Sequence, residues 1–298
     1  MRAYRAPGDD EAIVALHGRI HGCEPTYDDT TLERWRGFTE KSHVQGGRDF
    51  CVIECDGKLV ALMTSLHLEA PQCPGGIRHI RIAVDPDHRR RGHADNLLRS
   101  ALEQARREGS SVLQSVVDGR WASGRSFAAT RGFRALVHNL LLERDRSPVG
   151  DQTVPDGVEL RKYQSGDEVS LARIHNVAMA RDAEFNLESR ESFAAHAKHA
   201  NVTIWVAAMH LTVGYCFLEL RGDRGYVHEI AVLPEWTGRG IGSALLARAI
   251  ASLQASGATT TVLGVEEDNT TALHLYTRFG FSCAHDTFTL RRRVEDAL

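Results

Sequence analysis

The stretch RIAVDPDHRRRGHADNLL (Arg81 to Leu98) returns 148 positions later as EIAVLPEWTGRGIGSALL (Glu229 to Leu246). The register then holds without a gap until RGF (Arg131 to Phe133) meets FGF (Phe279 to Phe281). A repeat this long is not the unit of a solenoid; it means two similar domains. A chain of 298 residues is long enough for two, each with a core of its own. The natural boundary is RDRSPVGDQTVPDG (Arg144 to Gly157), rich in Pro, Gly, Asp and Ser and without an apolar period. The expected domains are therefore 1–146 and 157–298. The second restarts with ELRKYQSGDEVSLARIHNVA (Glu159 to Ala178), an echo of YRAPGDDEAIVALHG near the N-terminus.

Each copy carries a glycine turn between an apolar strand and a helix. In the second, HEIAV (His228 to Val232) reads as a buried strand, and SALLARAIASLQASG reads as a helix closed by Gly257. Gly238, Gly240 and Gly242 leave room for a ligand at the main chain. The amides of Arg239, Gly240, Ile241, Gly242 and Ser243 open the helix with no intrahelical acceptors. Such amides, at the positive end of a helix dipole, bind phosphate. A glycine turn by itself is as well explained by tight helix packing, and neither GxxxxGK[ST] nor a complete GxGxxG is present. In the first copy the turn is HRRRGHA, with Arg89, Arg90 and Arg91 ahead of Gly92, His93 and Ala94. Three arginines beside a helix start suit phosphate, and a solvated basic corner is the plainer reading.

The rest of each half reads as a mixture of helices and strands. Asp9 or Asp10 is placed to cap a helix, EAIVALHGRI, and a second helix follows around Thr30 to Glu40. Strands at Phe50 to Cys55 and Leu59 to Leu66 are joined by Asp56-Gly57, a strong hairpin signal, and lead to IRIAV (Ile80 to Val84). In the second half an acidic helical segment (Asp182, Glu184, Glu188, Glu191) precedes strands at Ile204 to Ala208 and Thr212 to Arg221.

The strand ending IAVxP, the turn, the helix, and then VEEDNTTALHLYTRFGF (Val265 to Phe281) together resemble the GNAT superfamily of acetyl-coenzyme A-dependent N-acetyltransferases. The likeness is close in the C-terminal half and looser in the N-terminal half. Among tandem members, mycothiol synthases are the most similar in build, and tandem enzymes that acetylate antibiotics or other small amines resemble the chain too. The resemblance implies an α/β fold of two tandem domains, each a central, mostly antiparallel sheet flanked by helices. It implies acetyl-coenzyme A as cofactor and a primary amine of a small molecule as acceptor. A non-enzymatic acyl-coenzyme A sensor and a protein N-acetyltransferase are the alternatives.

By the same resemblance, the main chain of Ile230, Ala231 and Val232 bonds the acetyl carbonyl and pantetheine arm, and Ile82, Ala83 and Val84 are the matching strand of the first copy. Backbone donors held in place stabilise a developing oxyanion. Tyr276 is implied as proton donor to the departing thiolate, the plainer reading being an aromatic packed on helix and sheet. Asn269 caps the helix TTALHLYTRF and contacts the coenzyme. Thr237 stands where the family usually has Arg or Gln, which weakens a side-chain contact to pyrophosphate.

The general base is read from the strand. With period two, Tyr226 and His228 share one face, while Glu229 and Ala231 share the other. Imidazole accepts a proton near neutrality, which makes His228 the first candidate over a histidine merely bonded inside the sheet. Glu229 is the second candidate, on condition that a bulge turns it inward. At the matching places the first copy has Ile80, Ala128 and Trp121 for His228, Tyr276 and Asn269. That domain is therefore expected to bind or support rather than catalyse.

Composition excludes other classes. The net charge is −3, 25% of residues are charged and 42% are hydrophobic, with acids balancing scattered arginines, so no nucleic-acid partner is expected. No signal-peptide core and no run of ~20 apolar residues is present, so we expect no membrane partner and a cytoplasmic protein. Six cysteines form no CxxC and fifteen histidines no HExxH, so we expect reduced structural thiols and no metal.

Overall fold

The computed structural model describes residues 1–24, 30–40, 44, 46–68, 70, 73, 75–150, 153–180 and 187–296, with only the backbone of 46 and 48. The expected acids Asp182 and Glu184 lie outside the described residues. The chain forms two compact units, Met1–Leu136 with Phe288–Leu298, and Val137–Thr287.

The first unit runs β1 (Arg2–Ala3), α1 (Asp10–Cys23), α2 (Leu32–Thr39), α3 (Gly46–Asp49), β2 (Phe50–Cys55), β3 (Lys58–Leu68), β4 (Ile77–Val84), α4 (His93–Glu108), β5 (Val112–Asp118), α5 (Ala122–Thr130) and the start of β6 (Arg134–Arg144). Strands β1 to β4 pair antiparallel in sequence order, and β5 joins β4 in parallel. Asp56 and Gly57 adopt φ of 50° and 73° in the β2–β3 hairpin, the left-handed pair that a tight twisted turn needs. Thr31 caps α2 through its side chain, whereas Asp9, at the cap of α1, makes no side-chain cap bond. Its carboxylate instead binds the Arg2 guanidinium and the Arg5 amide, because a buried charge gains more from a cation than from one helix amide.

The second unit adds β7 (Glu159–Lys162), α6 (Glu168–Ala178), α7 (Arg190–His196), β8 (Val202–Ala208), β9 (Thr212–Arg221), β10 (Arg224–Val232), α8 (Ile241–Ala255), β11 (Thr260–Glu266), α9 (Thr270–Arg278) and the start of β12 (Ser282–Arg293). Its sheet order is β6-β11-β10-β9-β8-β7, antiparallel except for the parallel pair β10 and β11. Helix α8 covers one face with Ile241, Leu245, Leu246, Ile250 and Leu253, all buried. Each such side chain contributes about 1.5–3 kcal/mol by leaving water. Helix α6 covers the other face with Leu171 and Ile174. Both units are thus mixed α/β layers with mostly antiparallel sheets, the fold that the resemblance implies.

The units depart from the repeat at its last strand. Val137–Arg144 belongs to the second unit and Phe288–Leu298 to the first. Among the described residues no helix is long and apolar enough to cross a membrane. No group of three or more His, Cys, Asp or Glu among them is arranged to hold a metal ion. The six cysteines are free.

Candidate active site

Strand β10 has two partners of unequal length. It follows β9 to the pair Val232 and Gly214, but its ladder with β11 stops at Val227 and Leu263. The β11-facing main chain of Ile230, Ala231 and Val232 therefore lies beyond the parallel ladder, which is the opening that a thioester needs to lie along a strand.

The register with β9 slips between Val227, opposite Leu218, and Glu229, opposite Phe217, leaving His228 as the bulged residue. This overturns the simple alternation expected from the sequence. His228 Nε2 lies 2.8 Å from Glu219 Oε2, and its ring is 5.3 Å from Phe217 and stacked 6.0 Å from Tyr226. Glu229 Oε2 accepts a 2.5 Å hydrogen bond from the Tyr215 hydroxyl. Because Tyr215, Phe217 and Glu219 alternate along β9 on one face, His228 and Glu229 now share that face. The extra residue turns Glu229 toward α6, where His175 Nδ1 stands 3.3 Å away.

The charges on this face are set by their partners. Hydrogen bonding to Arg221, then to His228, outweighs partial burial and takes the Glu219 carboxyl down to about 2. Burial alone would raise Glu229, but hydrogen bonds from His175 and Tyr215 bring it below the usual range, so it is a carboxylate at neutral pH. Tyr276 comes from α9, whose first turn is capped by Asn269 Oδ1 accepting from the Ala272 amide at 3.1 Å. Its half-buried ring meets Phe281 edge-on at 6.0 Å, and burial pushes its phenol up to about 12. It holds its proton at neutral pH and can give it to a thiolate.

The turn after β10 starts as a single 3-10 turn, Pro234–Trp236. The Thr237 hydroxyl donates back to the Pro234 carbonyl at 2.8 Å, and the Arg239 guanidinium lies 4.5 Å over the Trp236 ring. Gly238 and Gly240 take φ of 75° and 84°, and a side chain at Gly238 would meet nothing within 4 Å. The first bond of α8 runs from the Ala244 amide to the Gly240 carbonyl, so the amides of Ile241, Gly242 and Ser243 precede the ladder. Arg278 Nη2 donates to Ser243 Oγ at 2.6 Å, which sets a guanidinium at the same helix start. Helix amides plus a cation fit a pyrophosphate. Sequence reading missed Arg278; the signal was its place two residues after Tyr276.

The profile of the acetyltransferase (GNAT) family matches residues 13–133 and again 171–281. The chain belongs to the GNAT acetyltransferase family. A mycothiol acetyltransferase of Mycobacterium sp. (strain MCS) is 30% identical over 286 residues, which cover 92% of this chain and 90% of that protein. The crystal structure of a GCN5-related N-acetyltransferase from Sphaerobacter thermophilus superposes with a TM-score of 0.83 at 20% identity, covering all of this chain and 96% of that one. A tandem GNAT protein from the clavulanic acid biosynthesis pathway gives 0.76 at 16%, covering 99% and 98%. The two structures share the tandem fold.

The N-terminal GNAT copy has the same split strand without the bulge. The β4 ladder with β5 ends at His79, while pairing with β3 continues in unbroken register to Val84. Ile80 and Ala128 are 2% and 6% exposed, packed in the core where the second copy has His228 and Tyr276. Ile82 packs on that core, Ala83 on the opposite one, and the Val84 carbonyl accepts from Arg89 Nε at 3.3 Å. Arg89 also grips Glu24 with both terminal nitrogens at 3.0 Å. Arg90 takes φ of 61° where the other copy has Gly238, and Arg91 donates to the Asp87 carbonyl. Gly92 caps α4, which His93 and Ala94 open. Asp95 stands in the place of Ser243 and is clamped by Arg131 at 2.6 and 3.0 Å. Trp121 sits at the cap of α5 in the place of Asn269.

Proposed function

We propose that this chain is an acetyl-coenzyme A-dependent N-acetyltransferase that acylates the primary amine of a small molecule, with the chemistry in its C-terminal half. The observation that carries the reading is the bulge at His228 beside the open end of β10, because it puts a base next to free main chain and a glycine turn. Bound acetyl-coenzyme A supplies the thioester. The amides of Gly240, Ile241, Gly242 and Ser243, with Gly238 and Arg239 in the turn and Arg278 beside it, receive the pyrophosphate. The main chain of Ile230, Ala231 and Val232 orients the acyl group and donates to its carbonyl.

His228, held by Glu219, takes one proton from the amine as its nitrogen bonds to the acyl carbon. Tyr276 gives its proton to the sulfur as the carbon–sulfur bond breaks, and solvent returns the protons. The products are an amide and a thiol. Asn269 holds α9, and with it Tyr276, in place. The N-terminal turn repeats the backbone of this one but lacks both proton-handling groups; we assign it the nucleotide end of a second coenzyme without turnover. The mycothiol acetyltransferase relatives support a small-molecule acceptor.

Thiol release from acetyl-coenzyme A, measured with a panel of mycothiol-precursor, aminoglycoside and polyamine amines and with peptides, tests the reading. Release with a small amine is expected. Calorimetric coenzyme binding without release for any acceptor makes the chain a sensor, and release with peptides alone makes it a protein acetyltransferase.

A further inference from the structure

Glu229 is held by groups that take no part in the proton transfers above. The Tyr215 hydroxyl gives its only proton to Glu229 Oε2 at 2.5 Å. His175 Nδ1, 3.0 Å from that hydroxyl oxygen and 3.3 Å from Oε2, therefore faces two acceptors and carries hydrogen itself. Tyr215 and His175 are buried, and Phe193 packs edge-on against both, with centroids 5.4 and 6.3 Å away. Oε2 is thus fixed by two donors. Oε1 has no hydrogen-bond partner among the described residues, and the Glu229 side chain is 32% exposed.

The charge on Glu229 is held by hydrogen bonds from Tyr215 and His175 and is countered by an ion only when His175 is protonated. Among the described residues the titratable groups facing it are His175 from α6, Tyr215 and Cys216 from β9 and His228 from β10, with Glu188 acting on Tyr215. No Lys or Arg pairs with it among the described residues. Asp95, Asp167 and Glu219, by contrast, each have an arginine. A fixed carboxylate with one oxygen open and no permanently charged Lys or Arg of its own is a receptor for a cation. Fold alone does not require an acid here, since the other GNAT copy has an exposed Arg81 at the matching place.

We propose that Glu229, with His175 and Tyr215 as its positioning residues, seats the ammonium form of the acceptor, so that the site selects alkylamines, protonated in neutral water, over weakly basic arylamines. Seated there, the ammonium lies on the face that carries His228, which takes its first proton and passes it to solvent; the neutral amine then attacks and gives His228 its second proton in the transfer described above. The assignment rests on the N-acetyltransferase reading and adds a substrate class to it.

The test uses the full chain and the variants Glu229→Gln, Tyr215→Phe, His175→Phe and His175→Asn, the last retaining a donor near the Nδ1 position. Initial rates are taken with the best alkylamine of the panel and with an aniline-type arylamine. Glu229→Gln is expected to raise KM for the alkylamine about tenfold or more, leave kcat within about threefold, and leave the arylamine KM unchanged. Two further readouts need no turnover. The Glu229 carboxyl, followed by 13C NMR, is expected to titrate at higher pH in His175→Phe and Tyr215→Phe, with His175→Asn returning it toward the wild-type position. The same signal is expected to move when alkylamine is added to coenzyme A-loaded protein. An unchanged titration in both donor variants overturns the positioning roles, and an alkylamine that leaves the signal still overturns the seat. Absence of thiol release in the wild type overturns the acetyltransferase reading alone, because the NMR results stand or fall without it.

Discussion

In the C-terminal copy β10 slips by one residue against β9 at His228, whereas β4 of the N-terminal copy keeps register with β3 to its end. The repeat carries no gap between these strands, so the difference lies in how each strand is paired. With the slip, His228 and Glu229 share the α6 face beside His175. Without it, Ile80 enters the core and Arg81 turns to the face of α1, where its charge and burial hold His17 and His79 down near 4, burial being the larger cause. His17 answers His175 in the echoed helix. One scaffold therefore places Glu229 on this face in one copy and Arg81 in the other, and the groups proposed to move protons stand only in the first.

The largest effect that can break this contrast is at Tyr276. Tyr276→Phe is expected to lower kcat by roughly ten- to a thousandfold with little change in coenzyme KM, because Ala128 gives the other copy no phenol to substitute. Full activity by steady-state thiol release would reduce Tyr276 to a packing residue. Next in size, Arg278→Ala removes a charged donor from the start of α8, worth about 1.5–3 kcal/mol, and should raise coenzyme KM by about ten- to a hundredfold. Arg131→Ala, its neighbour in the repeat, should leave the rate unchanged.

A third contrast concerns stability. Asp85 is buried where the other copy has Leu233, and Lys58 and Arg19 overcome the cost of burial to bring its carboxyl down to about 2. Such a group stabilises the fold fully above the unfolded value of about 3.9 and loses that effect as pH falls through about 2, a change of about 2 kcal/mol. Asp85→Asn should therefore flatten the acid limb of the N-terminal unit's stability by about 2 kcal/mol in a pH-dependent melt followed by NMR, and leave that of the other unit unchanged. An unchanged acid limb in the N-terminal unit would contradict it. The smallest effect is Arg90→Gly. Relief of a left-handed arginine, about 1–2 kcal/mol, is offset by roughly 0.5–1 kcal/mol of glycine chain entropy, so the melting point should rise by a degree or two without change in rate.

The repeat, the glycine turns, the Asn269 cap and the candidates His228 and Tyr276 were legible because each is a local pattern or a spacing between local patterns. The direction of Glu229 was not. Alternation assigns faces by counting, and a bulge changes the count through a pairing 12 residues away, Glu229 with Phe217, that no local window contains. His175, Tyr215, Glu219 and Arg278 join the site through contacts between separate elements, and in sequence each reads as an ordinary member of its helix or strand. Asp9 was expected as a helix cap, and Arg2, only seven residues before it, claims its carboxylate instead, because helix patterning says nothing of how the preceding strand is placed.

The most direct measurement sets the two turns against each other. Gly240→Asp with Gly242→Asp places carboxylates at the proposed pyrophosphate seat of the C-terminal copy, while Arg90→Glu with Arg91→Glu reverses the charge of the N-terminal turn. Thiol release by both variants is compared with wild type after circular dichroism confirms that each is folded. Chemistry confined to the second copy predicts that the first variant loses acetyl transfer and the second keeps it within about threefold. Loss of transfer in the folded Arg90→Glu, Arg91→Glu chain, with transfer retained in the other, would contradict the assignment.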